Sequence, residues 1–261
     1  MLSKKGTFGT FIYLGIANQL QLQIVDSEYE GREIRVLINV EGLPIYVHSK
    51  QQMWPILLQI LHKDYYCKPI VVALYCGDSK PHDANDFMEN FTEECTTLIE
   101  QGIVISSTLF TFRIAAFVCD TPARAFIKCC KSHTGFYGCE RCEIRGKTVN
   151  KKRIYVQTNC TLRTKDSFIA KSQTDHHISD RTSPLVRIPG FDPIGGVLDY
   201  MHLLCCGVMK SLLDKWLSSR KQMGSIGRRG RNNLTKILLN LSMQISIEFQ
   251  RKLFDVTNIA N

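Results

Sequence analysis

The order of three short phrases constrains this chain more than anything else in it. The apolar run FRIAAFVCD ends on Asp120, the Cys-x-x-Cys phrase GCERC supplies Cys139 and Cys142, and the Asp-x-x-His phrase LDYMH supplies Asp199 and His202. An apolar, β-branched run closed by an acid and a turn predicts a buried strand with a carboxylate at its tip. A second run of this kind, EIRVLINV at 33–40, closes on Glu41. Two-metal phosphoryl transfer needs carboxylates that converge from separate elements onto ions about 3.5–4 Å apart. Strand ends suit that task because their backbone is rigid, so Glu41 and Asp120 are the candidate catalytic pair. Each also has a plainer role open to it. Glu41 can be a turn residue, and Asp120 can cap a helix that begins at Thr121 and carries Pro122 in its first turn.

Cys139 and Cys142 have the spacing that lets two thiolates reach one tetrahedral ion. One pair is half a site. His202 with Cys205 or Cys206 is the best second half, because residues three and four apart share a helix face. His133, His176, His177 and Cys160 compete for the role. The plain alternative is that both cysteines are small apolar residues in a turn. Cysteine usage otherwise argues for a reducing, intracellular setting. Of 11 cysteines, 129/130 and 205/206 are adjacent pairs, which is not the spacing of a disulfide framework.

Along the chain, strands are expected at 33–40, 44–48 and 69–75, with the apolar segment WPILLQIL at 54–61. Phe87, Phe91, Cys95 and Leu98 recur at helical spacing and predict a helix over 84–101. Two strand-like runs fill 103–119, split near Thr111–Phe112, and a helix is expected over 122–130. The domain expectation is a core at 1–130, an irregular Cys/His-containing insertion at 131–198 and a helical region at 199–261. The order of elements suggests an α/β core with a helical tail. The second tail helix is expected at about 234–252. Before it lies the loop SSRKQMGSIGRRGRNN, whose Arg220, Lys221, Arg228, Arg229 and Arg231 are candidate phosphate contacts or simply solvated cations. The whole chain has 33 Lys and Arg against 24 Asp and Glu, a formal charge of +9 that suits a polyanionic partner.

Other classes are disfavoured. There is no Gly-x-Ser-x-Gly elbow and no Gly-x-x-x-x-Gly-Lys phosphate loop. The stretch TFGTFIYLGIA after Lys4 and Lys5 imitates a signal peptide, but it is short and lacks a small-residue cleavage site. No run approaches the roughly 18–20 apolar residues of a membrane span. Asp78, in CGDSKP, reads as a turn residue, and His82 as a surface residue.

NVEGLPI followed by QQMWPIL, then VCDTPARAF, HTGFYGCERC, RTKDSF, SPL and LDYMHLLCCGVMKSLL, resembles the catalytic core of the CACTA (EnSpm-like) DDE transposases. That core is similar to the core of the V(D)J recombinase. The resemblance runs from about residue 9 to about residue 250. It implies an RNase H-like mixed sheet with a zinc-knuckle insertion and a helical C-terminal part. It further implies a DDE triad on Mg²⁺ or Mn²⁺, hydroxyl attack on phosphodiesters, DNA as partner, a nuclear location, a possible homo-oligomer and no small-molecule substrate. Carried over residue by residue, Glu41 stands where the family has its first Asp and Asp120 matches the second. Cys139 and Cys142 match the zinc pair, and His202 matches the His of the Asp-x-x-His phrase. Cys205 is taken as a fourth ligand. The Glu for Asp exchange matters, since a misplacement of about 1 Å can cost on the order of a hundredfold in rate. The family's third acid lies further downstream, and neither Glu248 nor Asp255 sits in a phrase that matches it. The expectation is a truncated or domesticated transposase, ancestrally a DNA-cleaving and strand-transferring enzyme and inactive as it stands. The alternative is a non-catalytic, zinc-stabilised module that binds DNA or protein.

Overall fold

The computed structural model of the chain describes residues 9–25, 28–46, 50–178, 180–195, 199–218 and 224–245. They belong to two compact units, Met1–Leu198 and Asp199–Asn261. The first is a mixed α/β structure. Its elements in chain order are β1 (Gly9–Tyr13), α1 (Ile16–Gln23), β2 (Glu33–Val40), β3 (Leu43–Pro44), β4 (Gln52–Ile60), β5 (Ile70–Gly77), α2 (Ala84–Gln101), β6 (Ile103–Ile105), β7 (Thr108–Cys119), α3 (Thr121–Ile127), β8 (Lys147–Val149), β9 (Lys152–Ile154) and α4 (Lys165–Ile169).

Seven strands form one sheet in the order β1-β5-β4-β2-β7-β6, with β3 beside β4. β2, β4 and β5 form an antiparallel meander, and β7 then adds to β2 in parallel. A parallel neighbour requires a crossover, and α2 supplies it. The period-two pattern of β2 is physical: Ile34, Val36, Ile38 and Val40 are wholly buried while Glu33 and Arg35 are exposed. α2 spans the predicted 84–101 and buries Phe87, Met88, Phe91, Cys95 and Leu98 along one stripe. The Asp83 carboxylate accepts from Asn85 N–H at 2.7 Å and starts the helix; Gly102, at φ 75°, ends it.

Two expectations are corrected here, on the strand break and on the stretch after 131. The break within 103–119 falls at Ser106 and Ser107, not at Thr111–Phe112; both serines hold positive φ (47° and 73°), the geometry of a tight hairpin turn, and β7 runs unbroken through Thr111. The stretch with a signal-peptide-like look, disfavoured as one from sequence, supplies β1, an edge strand paired antiparallel with β5. The polar stretch after 131 is more ordered than an irregular insertion. It contains the β8–β9 hairpin, α4 and short 3-10 turns, and a small core of Cys130, Phe168 and Ile194. Ser183 Oγ donates to Ile127 O at 2.8 Å and Asn85 Nδ2 donates to Thr182 O at 3.0 Å, tying this stretch to α3 and α2.

In the second unit, Tyr200–Met209 is a π-helix that continues into α5 (Lys210–Leu217), and α6 spans Gly227–Leu241. The tail helix expected at 234–252 therefore begins earlier; the residues from 246 onward, Glu248 and Asp255 among them, lie outside the described set. Among the described residues no helix is long and apolar enough to cross a membrane.

Candidate functional site

The strand ends carrying the two acids are neighbours. β2 and β7 run parallel, and their last residues, Val40 and Cys119, are register partners. Glu41 and Asp120 follow directly, so both carboxylates start at the carboxyl ends of adjacent strands, about 4.8 Å apart in backbone spacing. In open α/β sheets that end is where ligands bind. A bulge sets the match. Val36 pairs with Ile114 but Leu37 pairs with Ala116, so β7 carries one extra residue, Ala115. Without it Glu41 would lie beside Cys119, and the acids would be offset by one residue.

Both acids are half-buried. Asp120 also plays the plainer role open to it, because its Oδ1 accepts from Ala123 N–H at 2.7 Å and caps α3. Gly42 passes so close to Trp54 that a Cβ there would stand 2.5 Å from the indole, which holds the turn after Glu41 against the core. Trp54 in turn packs edge-on against Phe126 of α3, with ring centroids 5.5 Å apart. The turns after both acids thus rest on one aromatic pair.

Cys139 and Cys142 are brought together, with sulfurs 3.5 Å apart. Two sulfur ligands at 2.3 Å from a tetrahedral ion would be about 3.8 Å apart, so the pair matches half of such a site. Burial pushes the Cys142 thiol up, while a hydrogen bond from the Ile144 backbone N–H works the other way. His202 and Cys205, the other two expected ligands, lie in the second unit. Among the described residues, no group of three or more His, Cys, Asp or Glu is assembled that could hold a metal ion.

The π-helix changes which cysteine shares a face with His202. At roughly 4.4 residues per turn, a residue three along is swung by about 110° and one four along by only about 30°. Cys206 is therefore nearer the face of His202 than Cys205 is. Asp199 caps this helix, accepting from Met201 N–H at 2.8 Å and His202 N–H at 3.1 Å, and its other oxygen accepts from His202 Nδ1. Burial would raise the Asp199 carboxyl, but these bonds outweigh it and hold it below the usual carboxylate range.

Of the five candidate phosphate contacts, Arg220 and Lys221 lie outside the described residues. Arg228, Arg229 and Arg231 are not in a loop, as expected, but on the first turns of α6. Gly227, at φ 66°, precedes them at the helix start.

One structurally central residue of this region was not read from the sequence. Glu140, inside the Cys-x-x-Cys, accepts from Arg124 Nε at 2.6 Å and from Lys128 Nζ at 2.7 Å. Burial would raise its carboxyl, but the two cations outweigh that and lower it. Lys128 is only 4 % exposed. The Cys-x-x-Cys turn is thereby clamped to α3, the helix that Asp120 caps. A signal existed: Arg124 and Lys128, four apart on an otherwise apolar helix, share a face and need an anion. No protein-family model matches the chain, and no curated protein matches it.

Proposed function

We propose that this protein is a transposase-derived core that binds DNA and no longer cuts it. The observation that carries the reading is the pairing of strand ends, which starts Glu41 and Asp120 side by side. The meander β5-β4-β2 followed by a helix and the parallel β7 supports an RNase H-like arrangement of that sheet. Two carboxylates so placed offer ligands for one divalent ion, Mg²⁺ or Mn²⁺. Among the described residues no further acid is assembled with them into a metal-holding group, and two-metal cleavage needs more ligands to fix both ions and an attacking oxygen. Glu41 is also a methylene longer than the Asp of the family.

The test is a nicking assay on supercoiled plasmid with Mg²⁺ and with Mn²⁺, beside a binding assay on duplex DNA. The expected result is binding that weakens steeply with salt and no nicking with either metal. Asp120→Asn is the informative variant: Asn caps a helix as well as Asp does, so α3 keeps its start while the charge is lost. Nicking that disappears in Asp120→Asn would show a complete active site and overturn the loss of cleavage. Absence of DNA binding would overturn the rest.

Structural zinc belongs to the same reading. Cys139 and Cys142, 3.5 Å apart, are the proposed thiolate ligands. Bound zinc would cross-link its loops, and that binding energy would be folding energy. Metal analysis should find about one zinc per chain, lost in Cys142→Ser, and a chelator should lower the melting temperature. Purified protein that holds no zinc and melts unchanged with chelator would sink the zinc assignment.

A further inference from the structure

The β8–β9 hairpin concentrates exposed positive charge among the described residues of the first unit. Arg145, Lys147, Lys151, Lys152 and Arg153 fall within nine residues, and no Asp or Glu occurs between Glu143 and Asp166. None of the five takes part in an ion pair among the described residues. Five like charges that close repel one another, and no ion pair among the described residues offsets them.

The hairpin is nevertheless firmly built. Lys147 pairs with Ile154, Thr148 with Arg153 and Val149 with Lys152. Asn150 and Lys151 both hold positive φ, 49° and 62°, as a two-residue type I′ turn requires. Arg153 stacks 3.5 Å over the ring of Phe136, and its guanidinium donates to Thr148 Oγ1 at 2.6 Å and Thr134 O at 3.2 Å. Tyr155 Oη donates to Gly135 O at 2.9 Å, fixing the far strand to the loop that leads into Cys139. By strand alternation Lys147, Val149, Lys152 and Ile154 share one face, opposite the face on which Arg153 is pinned. Lys147, Lys151 and Lys152 are exposed. A rigid ribbon with ammonium groups on one face and at its tip, and no carboxylate among them, is complementary to a row of phosphates.

We propose that the β8–β9 ribbon is a DNA contact, gripping the phosphodiester backbone through Lys147, Lys151 and Lys152. The inference rests on the DNA-binding part of the proposed function. It adds a surface distinct from the arginines of α6. Arg153 is a positioning residue that holds the ribbon on Phe136. A two-stranded ribbon is narrow enough to enter a major groove, but lysine contacts to phosphate need no particular sequence.

The experiment is fluorescence anisotropy on a labelled duplex at salt from about 50 to about 200 mM, with the full chain and with Lys147→Gln/Lys151→Gln/Lys152→Gln. Each phosphate left unneutralised should flatten the plot of log affinity against log salt by about 0.9, hence by roughly 2.7 for three. Over this fourfold range in salt the variant should lose about 40-fold less affinity than the unchanged chain. Arg228→Gln/Arg229→Gln/Arg231→Gln serves as the comparison surface. Acetylation footprinting of the unchanged chain gives a second reading that needs no variant: DNA should protect Lys147, Lys151 and Lys152. Steep salt dependence in the unchanged chain with the same slope in the hairpin variant, or no protection of these lysines, overturns the hairpin contact and leaves the DNA reading standing. No binding by the unchanged chain removes both.

Discussion

Glu140→Ala should destabilise the first unit by about 3–5 kcal/mol, the range for removing one partner of a buried ion pair. The carboxylate bridges Arg124 and Lys128, whose side chains are only 10 % and 5 % exposed. Taking it away leaves two cations in a site with little water. Arg124 Nη1 still reaches Cys119 O at 3.2 Å, which gives that guanidinium a partial substitute. Lys128 has no other ion-pair partner among the described residues, so most of the cost should fall on it. A companion variant separates charge from geometry. In Glu140→Ala/Lys128→Met the orphaned ammonium is gone, and the double change should cost less than the sum of the two singles. Urea unfolding with a stability loss below about 1 kcal/mol for Glu140→Ala would mean that the clamp behaves as a surface pair. If zinc binds at Cys139 and Cys142, the same variant should also weaken it, because Glu140 holds the loop between them.

The protein should lose stability as pH falls from about 6.5 to about 4, through His176 and His177. Both rings are buried, 1 % and 5 % exposed. Burial lowers His176 to about 4, against a hydrogen bond to Tyr137 O that favours the protonated ring. Burial and the neighbouring His176 lower His177 to about 4, and Arg163 adds to both. Lys128 also faces His176 and Lys171 faces His177, while Glu140 opposes them at His176. At neutral pH the rings are uncharged, and His176 Nδ1–H donates to Tyr137 O at 2.7 Å. The sign follows from the protons. The unfolded chain takes them up near pH 6.5 and the folded one only near 4, so between those values falling pH favours unfolding. Each ring contributes up to about 3 kcal/mol over that window. Below about pH 4 this contribution levels off. Replacing one ring, as in His177→Gln, should reduce the slope of stability against pH between 4.5 and 6 by about one proton. An unchanged slope would mean that His177 already titrates as it does in the unfolded chain.

Much of the local structure was legible in the residues. Alternation in EIRVLINV and the fourfold spacing of Phe87, Phe91, Cys95 and Leu98 are patterns of consecutive side chains, and β2 and α2 formed where those patterns lie. Asp120 followed by a proline two positions on carried the start of α3. The Cys-x-x-Cys carried its own turn, since two thiols three apart can meet without help from the rest of the chain. Each of these depends on neighbours within about one turn of backbone. The juxtaposition of Glu41 and Asp120 is of another kind. It depends on β2 and β7 pairing across some 80 residues, in parallel and with Ala115 bulged out, and nothing near Glu41 encodes that register. Tertiary packing likewise decided that Glu140 would meet Arg124 and Lys128. The π-helical winding at His202, which turns Cys206 rather than Cys205 toward its face, and the pinning of a basic hairpin on Phe136 were also not legible. Periodicity is a local property and was read from the chain. Register, charge pairing and helix winding are set by which distant surfaces pack, and only the folded structure decided them.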